Sequence, residues 1–107
     1  MHVVKLSDSE IQAHLTDLPG WAVENDALVR TYRFPGFPEA IRFVNALAEH
    51  AERLQHHPDI DIRYSRVTLR LTTHDVGGIS MKDFGLAQEA ESDAPLGHAD
   101  DSDTHAA

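Results

Sequence analysis

The chain has 107 residues, no cysteine and a formal net charge of −9 at pH 7, enough for one domain with one modest core and without disulfides or thiolate metal sites. Residues 1–91 carry all 9 Lys and Arg against 14 acids, giving −5, and the last 16 residues carry 4 acids with no Lys or Arg, giving −4; that balance argues against direct nucleic-acid binding, which needs clustered Lys and Arg. No apolar stretch approaches the roughly 18 residues of a membrane span and no basic, apolar leader opens the chain, so the expectation is a soluble, cytoplasmic protein with no membrane partner.

In chain order, Ser7-Asp8-Ser9-Glu10 reads as a capping box, with Ser7 as N-cap and Glu10 three positions on. Ile11, Leu15 and Leu18 follow at helical spacing, and Pro19-Gly20 stops that helix; His14 reads as a solvated surface histidine. Trp21 to Glu24 and Ala27 to Phe34, joined at Asn25-Asp26, predict a β-hairpin with Trp21 as a core anchor. Leu28, Tyr32 and Phe34 share a face with Arg30, so that face is expected to reach solvent at one end.

A long helix is predicted to begin near Pro38, with Ala40, Phe43, Val44, Leu47, Ala51 and Leu54 as its apolar stripe and His50 on its polar face. Ile60, Ile62 and Tyr64 then alternate with Asp61, Arg63 and Ser65 as a half-buried strand, followed by Val67 to Thr73 with Val67, Leu69 and Leu71 inward. Ser80 to Asp83 is a second capping box, with Ile79 and Phe84 spaced for a hydrophobic staple; it explains Asp83 as a cap rather than a catalytic group. The last helix should end near Glu91. Residues 92–107 are too poor in apolar side chains to offset ordering entropy and read as a disordered acidic tail after a 1–91 domain. The order α-β-β-α-β-β-α predicts an α+β domain, a four-stranded antiparallel sheet with helices packed on one face.

The chemistry concentrates in Glu52-Arg53-Leu54-Gln55-His56-His57-Pro58-Asp59, answered by Thr72-Thr73-His74-Asp75. A helix running to His56 places Glu52 one turn before it on the same face, where it can orient or charge-stabilise that imidazole. Pro58 ends the helix and extends His57, so both histidines can line one pocket. His74 sits at a strand end beside Gly77-Gly78, a better place for chemistry than mid-strand.

This ordered set, Glu-x-x-x-His-His-Pro from Glu52, the aromatic Tyr64, Thr-His-Asp from Thr73 and Gly-Ile-Ser-x-x-Asp from Gly78 to Asp83, resembles the pterin-4a-carbinolamine dehydratases. The resemblance runs from about Leu6, through Leu-x-Gly-Trp at Leu18 to Trp21, to about Ala90; it departs at Ile60, where the family often has an aromatic residue. It implies a lyase that dehydrates 4a-hydroxytetrahydropterin to quinonoid dihydropterin and water, in recycling of the tetrahydropterin cofactor of aromatic amino acid hydroxylases. By resemblance His56, His57 and His74 are the catalytic histidines, and Glu52, Asp59 and Asp75 bind or orient the substrate. No metal and no cofactor are expected; a homodimer or homotetramer, and a pterin-dependent hydroxylase in the same pathway, are.

Two rival classes remain on the same residues. Glu52, His56 and His74 could supply the three ligands of an open metal site, ranked low without a His-Glu-x-x-His arrangement. A non-catalytic protein-binding module or transcription cofactor of the same fold is the alternative, but it leaves the three histidines unexplained.

Overall fold

The computed structural model describes residues 3–94. Its elements are α1 (Asp8–Leu15), β1 (Ala22–Glu24), β2 (Ala27–Arg33), α2 (Phe37–Leu54), β3 (Asp59–Arg63), β4 (Arg66–Leu71), a 3-10 turn at His74–Val76 and α3 (Met81–Asp93). The four strands form one antiparallel sheet in the order β1-β2-β4-β3, and the α+β architecture is the one the sequence predicts.

Local chemistry explains the element ends. Ser7 accepts from the Glu10 N–H at 3.2 Å while Glu10 returns to the Ser7 N–H at 2.8 Å. The Ser7 donors hold the Glu10 carboxyl below its ordinary range. The β1–β2 turn has positive φ at both Asn25 (48°) and Asp26 (63°), the left-handed pair whose twist matches a two-residue hairpin. Gly36 precedes α2, and Pro38 lies in its first turn, where a missing N–H costs nothing.

Leu28 and Tyr32 of β2, Val67, Leu69 and Leu71 of β4, and Phe43 and Leu47 of α2 build the core with Phe84, Leu86 and Ala90 of α3. Trp21 is buried in it, as expected, and so are the staple residues Ile79 and Phe84. The opposite face of the sheet is polar. Its register sets Val29, Arg70 and Asp59 side by side, then Thr31, Thr68 and Asp61, then Arg33, Arg66 and Arg63.

Several details differ from what the sequence leads one to expect. Arg30 is 6% exposed instead of reaching solvent. Its guanidinium donates to the Pro19 carbonyl at 2.7 Å and to Glu91 Oε2 at 3.0 Å, and lies 4.5 Å from the Tyr32 ring centroid; an arginine is buried this way only when its charge is matched. Trp21 Nε1 donates to the same Glu91 oxygen at 3.1 Å, and the Tyr32 hydroxyl also donates to it. Burial first, and then the Glu91 carboxylate, push the Tyr32 phenol far above its ordinary range.

Tyr64 leaves the strand: it takes φ 53° in the β3–β4 turn and is 71% exposed. At the sheet edge only Ile60 of its alternating set packs against the core. His14 is half-buried rather than solvated, its ring 5.1 Å from that of Phe84.

Finally, α3 extends two residues beyond Glu91. Asp93 is buried, 3.1 Å from His50 Nε2, so Ser92 and Asp93 belong to the helix and not to a tail. His50 is accordingly more than a polar-face residue, since it bridges α2 to α3. Ala94 follows as the buried C-cap of α3, and residues 95–107 of the expected acidic tail lie outside the described residues. Among the described residues, no helix is long and apolar enough to cross a membrane.

Candidate functional site

The site begins where α2 stops. Gln55 adopts a left-handed conformation (φ 52°, ψ 42°), the Gln55 N–H donates to the Glu52 carbonyl at 3.2 Å, and the His56 N–H reaches back to the Ala51 carbonyl at 3.0 Å. These two bonds are the Schellman closure of a helix. The position usually takes glycine or asparagine; here the Gln55 amide secures the turn by donating to the Glu52 carbonyl at 2.7 Å.

The closure separates the adjacent histidines. His56 swings inward, its side chain only 11% exposed, and its Nε2 donates to Asp83 Oδ1 at 2.6 Å. His57 stays outward at 60% exposed, and its Nε2 donates to Glu52 Oε2. The expected pairing of Glu52 with His56 is therefore corrected: one left-handed residue breaks the i, i+4 geometry and gives Glu52 to His57, five positions on. Each imidazole has a carboxylate of its own.

Asp83, explained from the sequence as a cap, has a second partner in His56. It caps α3 as expected, Oδ2 accepting from the Ser80 N–H at 2.9 Å, and it also accepts from the Thr73 hydroxyl at 2.8 Å. A carboxylate has room for a cap and a histidine together, one on each oxygen.

His74 comes to this neighbourhood through Thr73. Strand β4 ends at Leu71, earlier than predicted, and Thr73 pairs with Gly78 across an isolated bridge (N–H to carbonyl 2.8 Å). His74 opens the 3-10 turn inside that bridge, with Gly77 at φ 69° closing it. Thr73, one residue earlier, shares Asp83 with His56. The His74 ring is exposed and has no side-chain partner among the described residues.

Asp59 and Asp75 are not bonded to any of the three histidines among the described residues. Asp75 is exposed in the 3-10 turn. Asp59 opens β3 and lines a shallow cavity of about 310 Å³ with Val29, Thr68 and Arg70 on the open side of the sheet, away from the helices. A second, of about 270 Å³, lies beside it around Arg63 and Arg66. Neither cavity is lined by a histidine; His56, Asp83 and Thr73 join the end of α2, the start of α3 and the residue before the 3-10 turn. Among the described residues no three His, Asp or Glu side chains converge as metal ligands; Glu52 and His56 of the suggested metal set face different partners. Two carboxylate-backed imidazoles and an open third one can exchange protons with a bound molecule.

Comparison with known proteins places the chain in a family. The family model for pterin 4 alpha carbinolamine dehydratase matches residues 4–92. A protein of Chloroflexus aurantiacus, provisionally named pterin-4-alpha-carbinolamine dehydratase, is 55% identical over 78% of this chain and 89% of its own. One of Thermomicrobium roseum with the same provisional name is 53% identical over 81% and 94%. Among solved structures, a transcriptional coactivator/pterin dehydratase from Brucella melitensis superposes with a TM-score of 0.83 at 32% identity, over 85% of this chain and 99% of its own. A pterin dehydratase-like protein identified as a RuBisCO assembly factor of the alpha-carboxysome superposes at 0.59 with 19% identity, over 69% and 86%, which shows the shared fold alone. This chain belongs to the pterin 4 alpha carbinolamine dehydratase family.

Proposed function

We propose that the protein dehydrates 4a-hydroxytetrahydropterin to quinonoid dihydropterin and water. It would act as a cytoplasmic homo-oligomer that returns spent cofactor to a pterin-dependent aromatic amino acid hydroxylase. The observation that carries this reading is the pairing of His56 with Asp83 and of His57 with Glu52, inside the family motif and beside the His74 turn. The 4a-hydroxyl leaves as water only when it receives a proton, and the proton of a neighbouring ring nitrogen must be collected. Imidazoles give and take protons near neutral pH, each such transfer contributing about 10²–10⁴-fold. We assign two of His56, His57 and His74 to these transfers and the third to holding the pterin. The outermost strands β1 and β3 leave hydrogen-bonding edges that a second copy can pair.

The test is the decay of enzymatically generated 4a-hydroxytetrahydropterin, followed by absorbance against the uncatalysed reaction, for wild type, His57→Ala and His74→Ala. Both side chains are exposed, so the variants should keep the fold, and each should lose most of the acceleration. A wild type that matches the blank while folded would sink the reading. The rival is a protein-binding module: the Brucella protein is named a coactivator as well as a dehydratase, and the carboxysome protein an assembly factor. A folded, inactive wild type would favour it.

A further inference from the structure

We propose that Asp83 is a positioning residue that fixes the tautomer of His56, so that this ring meets a ligand through Nδ1 as a hydrogen-bond acceptor. The catalytic consequence rests on the dehydratase reading; the tautomer does not.

The hydrogen-bond directions around Asp83 determine one another. The Lys82 N–H donates to Ser80 Oγ at 3.2 Å. Ser80 Oγ and Thr73 Oγ1 are 2.7 Å apart, and the Thr73 hydroxyl hydrogen is committed to Asp83 Oδ2 at 2.8 Å. Thr73 must then accept from Ser80, and every donor in the chain points towards the carboxylate. The Ser80 N–H adds a second donor to Oδ2 at 2.9 Å. Asp83 is fully buried and lies in the first turn of α3, where helix dipole and donors alike suit the anion. An anionic carboxylate can only accept, so the hydrogen of the 2.6 Å contact belongs to His56 Nε2.

In the neutral ring the lone pair is therefore on Nδ1. That atom has no hydrogen-bond partner among the described residues, and it is not one of the buried atoms left unsatisfied there; it is the open nitrogen. In the dehydratase reading His56 thus begins turnover as the base. Nδ1 takes the proton of the ring N–H, the 4a-hydroxyl departs with a proton from a second histidine, and the two imidazoles restore their protons by exchange with water.

Asp83→Asn tests this with little change of shape. Its amide oxygen can keep the Ser80 N–H and Thr73 hydroxyl, which turns the NH₂ towards His56 Nε2. Two donors cannot face each other, so the ring must move its hydrogen to Nδ1. Long-range ¹H–¹⁵N NMR of the His56 ring, followed from about pH 6 to 9 where imidazoles lose their charge, reads the tautomer directly. The expected result is a protonated Nε2 in wild type, a protonated Nδ1 in Asp83→Asn, and a kcat lower by about 10²–10⁴-fold with KM little changed. Thr73→Val, which also loses a buried hydrogen bond, should lower the melting temperature yet leave Nε2 protonated.

A wild-type ring protonated on Nδ1 overturns the proposal, and so does an Asn variant with an unmoved tautomer. The wild-type spectrum decides even if the variant fails to fold. An inverted tautomer in a protein without dehydratase activity would uphold the positioning role and refute the activity instead.

Discussion

Glu52 accepts from Nε2 of His57 across the left-handed Gln55, with both side chains largely in solvent. An exposed pair of this kind adds about 0–1 kcal/mol to stability, so its value lies in where it holds the imidazole. Glu52→Gln should leave the thermal midpoint within a few degrees while slowing carbinolamine dehydration by about 10–100-fold, by analogy with the loss of other partners that orient a histidine. Parallel melting and rate measurements check this; equal loss in both would reduce Glu52 to a structural group.

The helix end itself can be tested at Gln55. Its φ of 52° is costly for a β-branched residue and easy for glycine. Gln55→Val should lose about 1–2 kcal/mol and most of the activity, because the chain that separates His56 from His57 no longer closes. Gln55→Gly should stay within about 1 kcal/mol of wild type and remain active. Urea unfolding and the dehydration assay read the two effects.

Glu91 gathers Trp21, Arg30 and Tyr32 onto one oxygen, fastening α3 beneath the sheet. Glu91→Ala would remove the acceptor that these three side chains share; with Glu91 30% exposed, a loss of about 2–4 kcal/mol is expected, short of the full range for a wholly buried pair. Gly20→Ala should also destabilise, by about 1–2 kcal/mol, since Gly20 has φ 94° and a Cβ there would come within 2.5 Å of the Arg30 guanidinium. Denaturant midpoints measure both.

Burial raises the Asp93 carboxyl above its ordinary value, with the His50 ring opposing the shift. Between the unfolded and the raised pKa the folded state binds the proton more readily, so stability falls as pH rises through that window, and the deficit persists above it. Asp93→Asn should remove the deficit while its amide oxygen keeps the His50 Nε2 contact. The variant should be more stable than wild type at pH 8, with the two curves converging below about pH 3.9. Thermal melts across pH provide the check.

Features under local control were legible in the chain. The capping boxes at Ser7 and Ser80 are complete, the Asn25-Asp26 turn has the twist of a hairpin, and the 3.6- and 2-residue periods separate helices from strands well enough to give the α+β order. The motif histidines were legible too, because His-His-Pro and Thr-His-Asp are contiguous in the chain. Which acid each imidazole meets depends instead on packing between distant elements. Helical spacing assigned Glu52 to His56; the left-handed Gln55, without the glycine that usually marks such a turn, gave it to His57, and the inward turn of His56 found Asp83, 27 positions away. The burial of Arg30 has the same origin: its partner Glu91 lies 61 positions along the chain. Hydrogen bonds within a turn are written in neighbouring residues, whereas a buried charge is matched by whatever the packed helices bring to it.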